Sequence, residues 1–263
     1  MNAGSANLNV MIKAARRAAR GLVRDFGEVE NLQVSMKGAG DFVSKADLKA
    51  EETIKDVLME ARPAYGFLAE EGGESEAGDG MHRWIVDPLD GTTNFLHGLP
   101  HWAVSIALER KGELIAAVIY DPVKDELFSA EKGQGAWMND RRLRVSKRRD
   151  FLESIFSTGV PFANSPHLPK ALKEYAVLMP RCAGLRRFGA AALDLAYVAA
   201  GRYEAFWERG IQPWDVAAGL LLVKEAGGLI GPLDGVENPM MDGALIAANA
   251  DIFEPFSKLL AEI

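Results

Sequence analysis

The stretch that most constrains this chain is Trp84 to Gly98, WIVDPLDGTTNFLHG, where an apolar strand signal runs into two aspartates three residues apart. Pro88 fixes the backbone between Asp87 and Asp90. Gly91 leaves no side chain beside them, so a ligand can approach the main chain closely. Thr92, Thr93 and Asn94 are helix-capping types, which lets residues 91–94 present backbone N–H groups to an anion. Two carboxylates held this close repel unless a positive charge lies between them. The turn therefore offers hard oxygen ligands for a divalent cation beside a cradle for a phosphate. An acidic loop with one capping aspartate accounts for either acid, but not for both together with the glycine.

The rest of the chain must carry that turn on a well-packed body. At 263 residues with 48% hydrophobic and 25% charged content, one large α/β unit or two intimately packed halves are expected, and no disorder. A net charge of −7 and a pI near 5.3 argue against a general nucleic-acid binder and against an anionic membrane as partner. No apolar run approaches the ~18–20 residues that span a bilayer. A single cysteine, Cys182, rules out an internal disulfide, fits a reducing cytoplasm and is expected to serve packing. The first residues carry Lys13, Arg16, Arg17, Arg20 and Arg24 before any acid, which imitates a targeting peptide. The helical spacing of Leu8, Met11, Ile12, Ala15, Ala19 and Leu22 gives the simpler reading, an amphipathic first helix.

A second helix is predicted from Ser44 to Arg62, where SKAD resembles a capping box ahead of core-facing Leu48, Ile54, Val57 and Leu58, and Pro63 stops it. Strands follow at Gly66 to Ala69, RWIVD, WAVSIALER, LIAAVIYDP, ELFSAE and RLRVS, closely spaced and mainly antiparallel. Past about residue 150 the pattern becomes alternating: strands at SIFSTG, GLRRFG, YEAFWE and ALIAAN, and helices near Leu168–Leu178, Ala190–Ala200, Trp214–Ala226 and Ile252–Glu262. The expected fold is a layered α/β (α+β) sandwich of alternating helix and sheet layers. Its halves, 1–150 and 151–263, have no linker between them and are expected to form one continuous body.

The string WIVDPLDGTTNF resembles the signature of the inositol monophosphatase family, magnesium-dependent and lithium-sensitive phosphomonoesterases of the same fold type as fructose-1,6-bisphosphatase. WDVAAGLLLVKEAGG, Trp214 to Gly228, resembles the family's second signature, and AEE, Ala69 to Glu71, its third element. FGAAALDLAYVAAGRYEAFWERGIQPWD is similar to the bacterial SuhB-type branch, so the likeness spans nearly the whole chain.

This resemblance implies a set of roles. Glu70, Asp87 and the carbonyl of Leu89 would hold a first Mg2+, and Asp87, Asp90 and Asp215 a second, with a weaker third site common in the family. Glu70 and the Thr92 hydroxyl would orient the attacking water, with Asp47 as an auxiliary acid; the competing reading of Asp47 is the third helical residue of the capping box. Composition alone makes Glu70 one of a solvated pair with Glu71, and Asp215 has a sufficient structural task as an N-cap. Gly91 and Thr92 would bind phosphate through backbone N–H groups, next to Asp90 and Asp215. Glu208 would take a ring hydroxyl, the competing reading being an exposed charge at a strand end. Gly189, Ala190 and Ala191 would line the ring, Ala190 standing where many relatives carry a serine or threonine. Arg186 is a substrate or interface candidate, with Arg187 alternating beside it. Lys37 lies on a Gly-rich segment that folds over the site in the family. His97 and His101 flank a proline without partnering cysteines, which does not suit zinc.

The implied activity is Mg2+-dependent hydrolysis of inositol 1-phosphate and related polyol monophosphates by a homodimer, with water rather than a side chain as nucleophile. The alternatives are a sister activity on histidinol phosphate, fructose 1,6-bisphosphate or adenosine 3',5'-bisphosphate, and a role as binding partner of transcription or RNA-processing machinery. The acidic balance offers the last of these no obvious RNA surface.

Overall fold

Two helices with alanine-rich inner faces open the chain. In the computed structural model, which describes residues 4–28, 34–38, 41–159 and 165–263 (34–38 and 41–43 by their backbone alone), α1 spans Ala6–Phe26. The Ser5 hydroxyl accepts from the Leu8 N–H at its start, and the buried stripe is Leu8, Met11, Ala14, Ala15, Ala18, Ala19 and Leu22. A short hairpin, β1 (Val34–Gly38) and β2 (Asp41–Ser44), leads into α2 (Lys45–Ala61), capped at Ser44 as the sequence predicts. Leu48 departs from the expectation and is 52% exposed. Ala46, Ala50, Ile54, Val57 and Leu58 define the buried face, and at ~100° per residue position 48 points away from it.

The first sheet is built from β3 (Gly66–Ala69), β4 (Gly73–Ser75), β5 (His82–Asp90), β6 (Ala103–Arg110), β7 (Glu113–Asp121), β8 (Glu126–Glu131), β9 (Gly135–Met138) and β10 (Arg141–Arg142), with the single-turn α3 (Thr92–Leu96) after β5. Its order is β10-β9-β8-β7-β6-β5-β3-β4, antiparallel except where β3 runs parallel to β5. The strand predicted at RLRVS is a correction. Only Arg142 of it lies in a strand, because the chain then leaves the sheet: Leu143 N–H bonds to Ala136 O at 2.8 Å and Val145 N–H to Ala226 O at 3.2 Å. Its place beside β8 is taken by Gly135–Met138.

The second sheet contains β11 (Ile155–Thr158), β12 (Gly184–Arg186), β13 (Ala205–Arg209), β14 (Leu229–Pro232) and β15 (Ala244–Ala248), in the order β12-β11-β13-β15-β14. The helices are α4 (Leu168–Leu178), α5 (Ala191–Ala199), α6 (Pro213–Glu225) and α7 (Ala250–Ala261). β11 pairs parallel with β12 and β13, whereas β13, β15 and β14 are antiparallel.

Alternation along the strands sorts side chains into separate cores. Val86, Val104, Ile106 and Val118 face α1 and α2. Ile85, Ala107, Ala117 and Ile119 face the opposite way, against α5 and α6, whose other sides meet Phe206, Leu245 and Ala247 of the second sheet. Phe156, Trp207 and Ile246 pack outward on α7, with Cys182 at the edge of that core. The result is helices, sheet, helices, sheet, helices. α5 and α6 are apolar nearly all round because they are covered by a sheet on each side. Their N-terminal ends, together with the ends of β5 and β13, enclose one cleft.

Candidate active site

On a regular strand, residues three apart point to opposite faces, so Asp87 and Asp90 could not serve one site. The strand is not regular there. β5 pairs with β6 in unbroken antiparallel register from His82 to Asp87, then shifts before Asp90, which lies opposite Ala103. The extra residue is accommodated at Pro88–Leu89, where proline has no N–H to lose from the ladder. Leu89 N–H donates back to Asp87 Oδ1 at 2.9 Å, and the Leu89 carbonyl is left to accept the Thr92 hydroxyl at 3.0 Å. Gly91 follows with φ +92; a Cβ there would meet His101 O at 3.0 Å and the Ala190 methyl at 3.3 Å. Both the backbone conformation and the space demand glycine.

Asp90 reaches across to the second half of the chain. Its Oδ2 accepts the Ala192 N–H at 2.9 Å, which satisfies a first-turn donor of α5 that Ala190, at the N-cap, has no side chain to satisfy. Asn94 makes the second stitch, donating from Nδ2 to the carbonyls of His101 (2.8 Å) and Phe188 (2.7 Å) and so fixing the 188–190 loop on the acidic turn. The competing reading of Asp215 as an N-cap does not hold: it is the third residue of α6. Gln212 caps the helix, Pro213 opens it, and Asp215 Oδ2 accepts the Gln212 N–H at 2.8 Å. One carboxylate oxygen is thereby anchored, which fixes the direction of the other.

For Asp47 the two competing readings hold together. Its Oδ2 closes the capping box, taking Ser44 N–H at 2.9 Å and Ser44 Oγ–H at 2.5 Å, while Oδ1 faces the Thr92 hydroxyl at 3.0 Å. Thr92 has one proton and two acceptors within reach, Asp47 Oδ1 and Leu89 O, so it can switch between them. Burial pushes the Asp47 carboxyl up, against the hydrogen bonds from Ser44 and Thr92.

A cavity of about 480 Å3 opens where these elements meet, walled by Glu70, Asp90, Glu208 and Asp215 and by the Gly189–Ala191 backbone. Glu208 is not an exposed strand-end charge: it faces this cavity and folds so closely over Gly159 that a Cβ on that residue would collide with its carboxyl. Arg187 reaches the cavity wall; Arg186 does not, and turns its guanidinium to the Leu185 carbonyl at 3.0 Å. The side chain of Lys37 lies outside the described residues. A wider depression of about 650 Å3 around Lys147, Arg148 and Arg149 is open to solvent, and two of these cations are already engaged, Arg148 with Glu204 (2.7 Å) and Arg149 with Asp251 (3.3 Å).

The cleft is electrostatically strained. Burial pushes Asp87 well above the ordinary carboxylate range, and Glu70, Asp90 and Asp215 push it further. Burial and Asp215 do the same to Asp90, opposed by the Ala192 N–H. Glu208 is pushed up to about 8 by burial and then by Asp215. As the side chains stand, no three acids or imidazoles among the described residues converge into a ready-made cage. Mg2+ suits such an arrangement, since it is bound through one or two carboxylates and keeps water and substrate oxygens as its remaining ligands. An oxygen-only donor set whose charges raise one another is what a divalent cation would relieve.

Asp194 was not singled out from the sequence, and Asn94 only as a capping type. The signal for Asp194 was a lone acid inside the apolar helix AALDLAYVA; for Asn94 it was a polar residue that is only 8% exposed, which sequence does not disclose. Among the described residues no helix is long and apolar enough to cross a membrane.

The model of the inositol monophosphatase family matches residues 5–262. An inositol-1-monophosphatase of Rhizobium meliloti (strain 1021) is 54% identical over 261 residues, covering 99% of this chain and 97% of its own. The Nus factor SuhB of Escherichia coli (strain K12) is 45% identical and covers 92% of this chain and 91% of its own. Among solved structures, the extragenic suppressor protein suhB of Bartonella henselae superposes with a TM-score of 0.94 at 53% identity, covering 97% of this chain and 98% of that one.

Proposed function

This chain belongs to the inositol monophosphatase family, and from that premise we propose that its cleft hydrolyses inositol 1-phosphate to inositol and phosphate with Mg2+ as its cation. The observation that carries the reading is that Glu70, Asp90 and Asp215, from both halves of the chain, wall one cavity of about 480 Å3, with buried Asp87 repelled by all three. Glu70, Asp87 and the Leu89 carbonyl would hold one ion and Asp87, Asp90 and Asp215 another. When bound, these ions supply neutralisation of the phosphoryl oxygens and acidification of a water.

The chain's own residues supply position and proton acceptance. The N–H groups of Gly91 and Thr92, at the start of α3, would meet the phosphate. The Thr92 hydroxyl, with its proton on the Asp47 side, turns a lone pair to the attacking water, and Glu70 takes a proton from that water. No serine, cysteine or histidine stands in the acid set, which suits direct attack by water. On the leaving side Glu208 and the Gly189–Ala191 backbone meet the polyol, which fixes the ester oxygen opposite the water. Such positioning and charge neutralisation are where phosphoryl-transfer catalysts gain most of their rate.

The test is phosphate release from inositol 1-phosphate, histidinol phosphate, fructose 1,6-bisphosphate and adenosine 3',5'-bisphosphate with and without Mg2+. Inositol 1-phosphate should be preferred, and release that ignores Mg2+ and survives Asp87→Asn would sink the reading. A second reading, attachment to transcription machinery, draws on the relative named a Nus factor. A cellular phenotype untouched by Asp90→Asn would favour it. A homodimer has support in Leu99 (53% exposed) and Phe188 (45%), neighbours through the Asn94 stitch; sedimentation of Phe188→Asp against wild type decides it.

A further inference from the structure

Behind the cleft lies a group of polar atoms that folding alone does not explain. Asp194 is 1% exposed, on a helix otherwise made of alanine, leucine, tyrosine and valine, and its Oδ1 is buried with no hydrogen-bond partner. Ser157 Oγ and Tyr175 Oη are likewise buried without a completed hydrogen bond. These residues come from α5, β11 and α4, yet they feel one another: burial and then Glu208 push the Asp194 carboxyl well up, the Ser157 hydroxyl opposes that rise, and the charges of Asp194 and Glu208 both act on Tyr175. Leaving a buried polar group unsatisfied is costly, so such groups cluster where a ligand or a water completes them.

The direction of the Asp194 side chain says which. Helical side chains lean toward the N-terminus of their helix and cover the turn before them. For Asp194 that turn is Ala190–Ala191, and all three residues border the same cavity as Glu208. The last torsion of an aspartate is soft, so its unpartnered oxygen can turn to a group arriving there. Arg187 stands on the same wall and opposes the negative charge of both acids.

We propose that Asp194 is a specificity-determining residue, its carboxyl binding a hydroxyl of the leaving polyol next to the hydroxyl bound by Glu208. The pair of acids would then read neighbouring hydroxyls on a ring. A hydroxyl both donates and accepts, so it satisfies a carboxyl with or without its proton. This rests on the inositol-phosphate reading of the cleft. It gives the unpartnered Oδ1 of Asp194 a group that only the correct alcohol carries.

The test compares kcat/KM for inositol 1-phosphate with that for phenyl phosphate, which has no hydroxyl to read, in wild type, Asp194→Ala and Asp194→Asn. The ratio of the two should fall about 10- to 100-fold in Asp194→Ala, the range expected for losing one hydrogen bond to a charged group. It should fall less in Asp194→Asn, which keeps the shape and an acceptor. Competitive inhibition by free inositol should weaken in the same order. If both substrates suffer equally, or neither suffers, Asp194 has no part in choosing the alcohol. Should Asp194→Ala fail to fold, as a melting curve will tell, the isosteric Asp194→Asn decides by the same ratio and by inositol inhibition. Wild-type protein that turns over phenyl phosphate but not inositol 1-phosphate overturns the reading beneath the proposal. Wild-type preference for inositol 1-phosphate with a ratio unmoved in the variants overturns the role of Asp194 alone.

Discussion

Glu208 and Arg209 are consecutive residues of β13, yet they belong to two regions that treat charge in opposite ways. Arg209 is buried, 6% exposed, and shared between two acids: its guanidinium donates to Glu174 at 2.9 and 2.7 Å and to both oxygens of Asp234. Trp207 Nε1 donates to the same Glu174 at 2.9 Å, and Lys170 reaches Asp234 at 2.6 Å. Every acid there has a cation from the chain itself. Glu208 lies instead among acids: Asp215 pushes it up and Arg187 only partly offsets this, while the charges acting on Asp87 and Asp90 are negative without exception. Two neighbouring regions with similar burial thus differ in who supplies the counter-charge. In one it is the fold alone; in the other Arg187 meets Glu208 and Asp194, and the charges of Asp87 and Asp90 are left to what binds.

Removing one acid from each region separates the two cases. Asp87→Asn should lower kcat/KM about 1,000-fold or more, since several kcal/mol of transition-state stabilisation depend on the ion that Asp87 would share. Steady-state kinetics over a Mg2+ titration will show it, and a loss under tenfold would break the distinction. Arg209→Met should leave the acid set in place but strand Glu174 and Asp234 in or near the interior. Breaking a buried pair in this way costs about 3–5 kcal/mol. At roughly 2–4 °C per kcal/mol, the melting temperature should fall by about 10 °C or more.

The contrast also explains what could be foreseen from the sequence. Asp87 and Asp90 were legible because their chemistry is written locally: DPLDGT compresses two acids, the bulge proline and the turn glycine into six residues, whereas Glu70, Asp215 and Glu208 were pointed to only by the family resemblance. The helices were legible from period and punctuation, and α4 begins and ends where its pattern does. The network around Arg209 was not legible, because α4, β13 and the Asp234 turn meet only through the tertiary fold. Asp194 was hidden for the same reason, as a helical acid becomes informative only once both faces of its helix are known to be covered. Asn94 looked like a capping residue and proved to be a tie between distant loops. At RLRVS, strand-like alternation was overridden when Val145 N–H took its partner from the end of α6.

A middle-sized effect follows from leaving the counter-charge to a ligand. Without metal, Asp90→Asn should raise stability by about 1–2 kcal/mol, because it removes one of the mutually repelling acids while Asn can still accept the Ala192 N–H. The same change should abolish most activity and most of the stabilisation by Mg2+, which for wild type amounts to about 2.7 kcal/mol at 100 times the dissociation constant. Melting curves in chelator and in Mg2+ give both quantities. A variant less stable than wild type in chelator would mean that the capping hydrogen bond, and not the repulsion, dominates at Asp90.

The smallest effect is the most discriminating, because the two regions should respond to pH with opposite sign. Glu208 is raised from 4.5 to about 8 by burial and Asp215, so between those values the folded protein holds a proton that the unfolded chain has released. Metal-free stability should therefore decline as pH rises through that window, and Glu208→Gln should flatten the decline. Asp234 is lowered from 3.8 to about 2, chiefly by its hydrogen bond from Arg209. Its contribution is complete above pH 3.8 and disappears as pH falls toward 2, so Asp234→Asn should blunt only the acid limb. Each limb should slope by a few degrees per pH unit in a melting profile taken in chelator. Adding Mg2+ should erase the Glu208 limb, since a bound cation supplies the charge that the proton had been replacing, and should leave the Asp234 limb as it was.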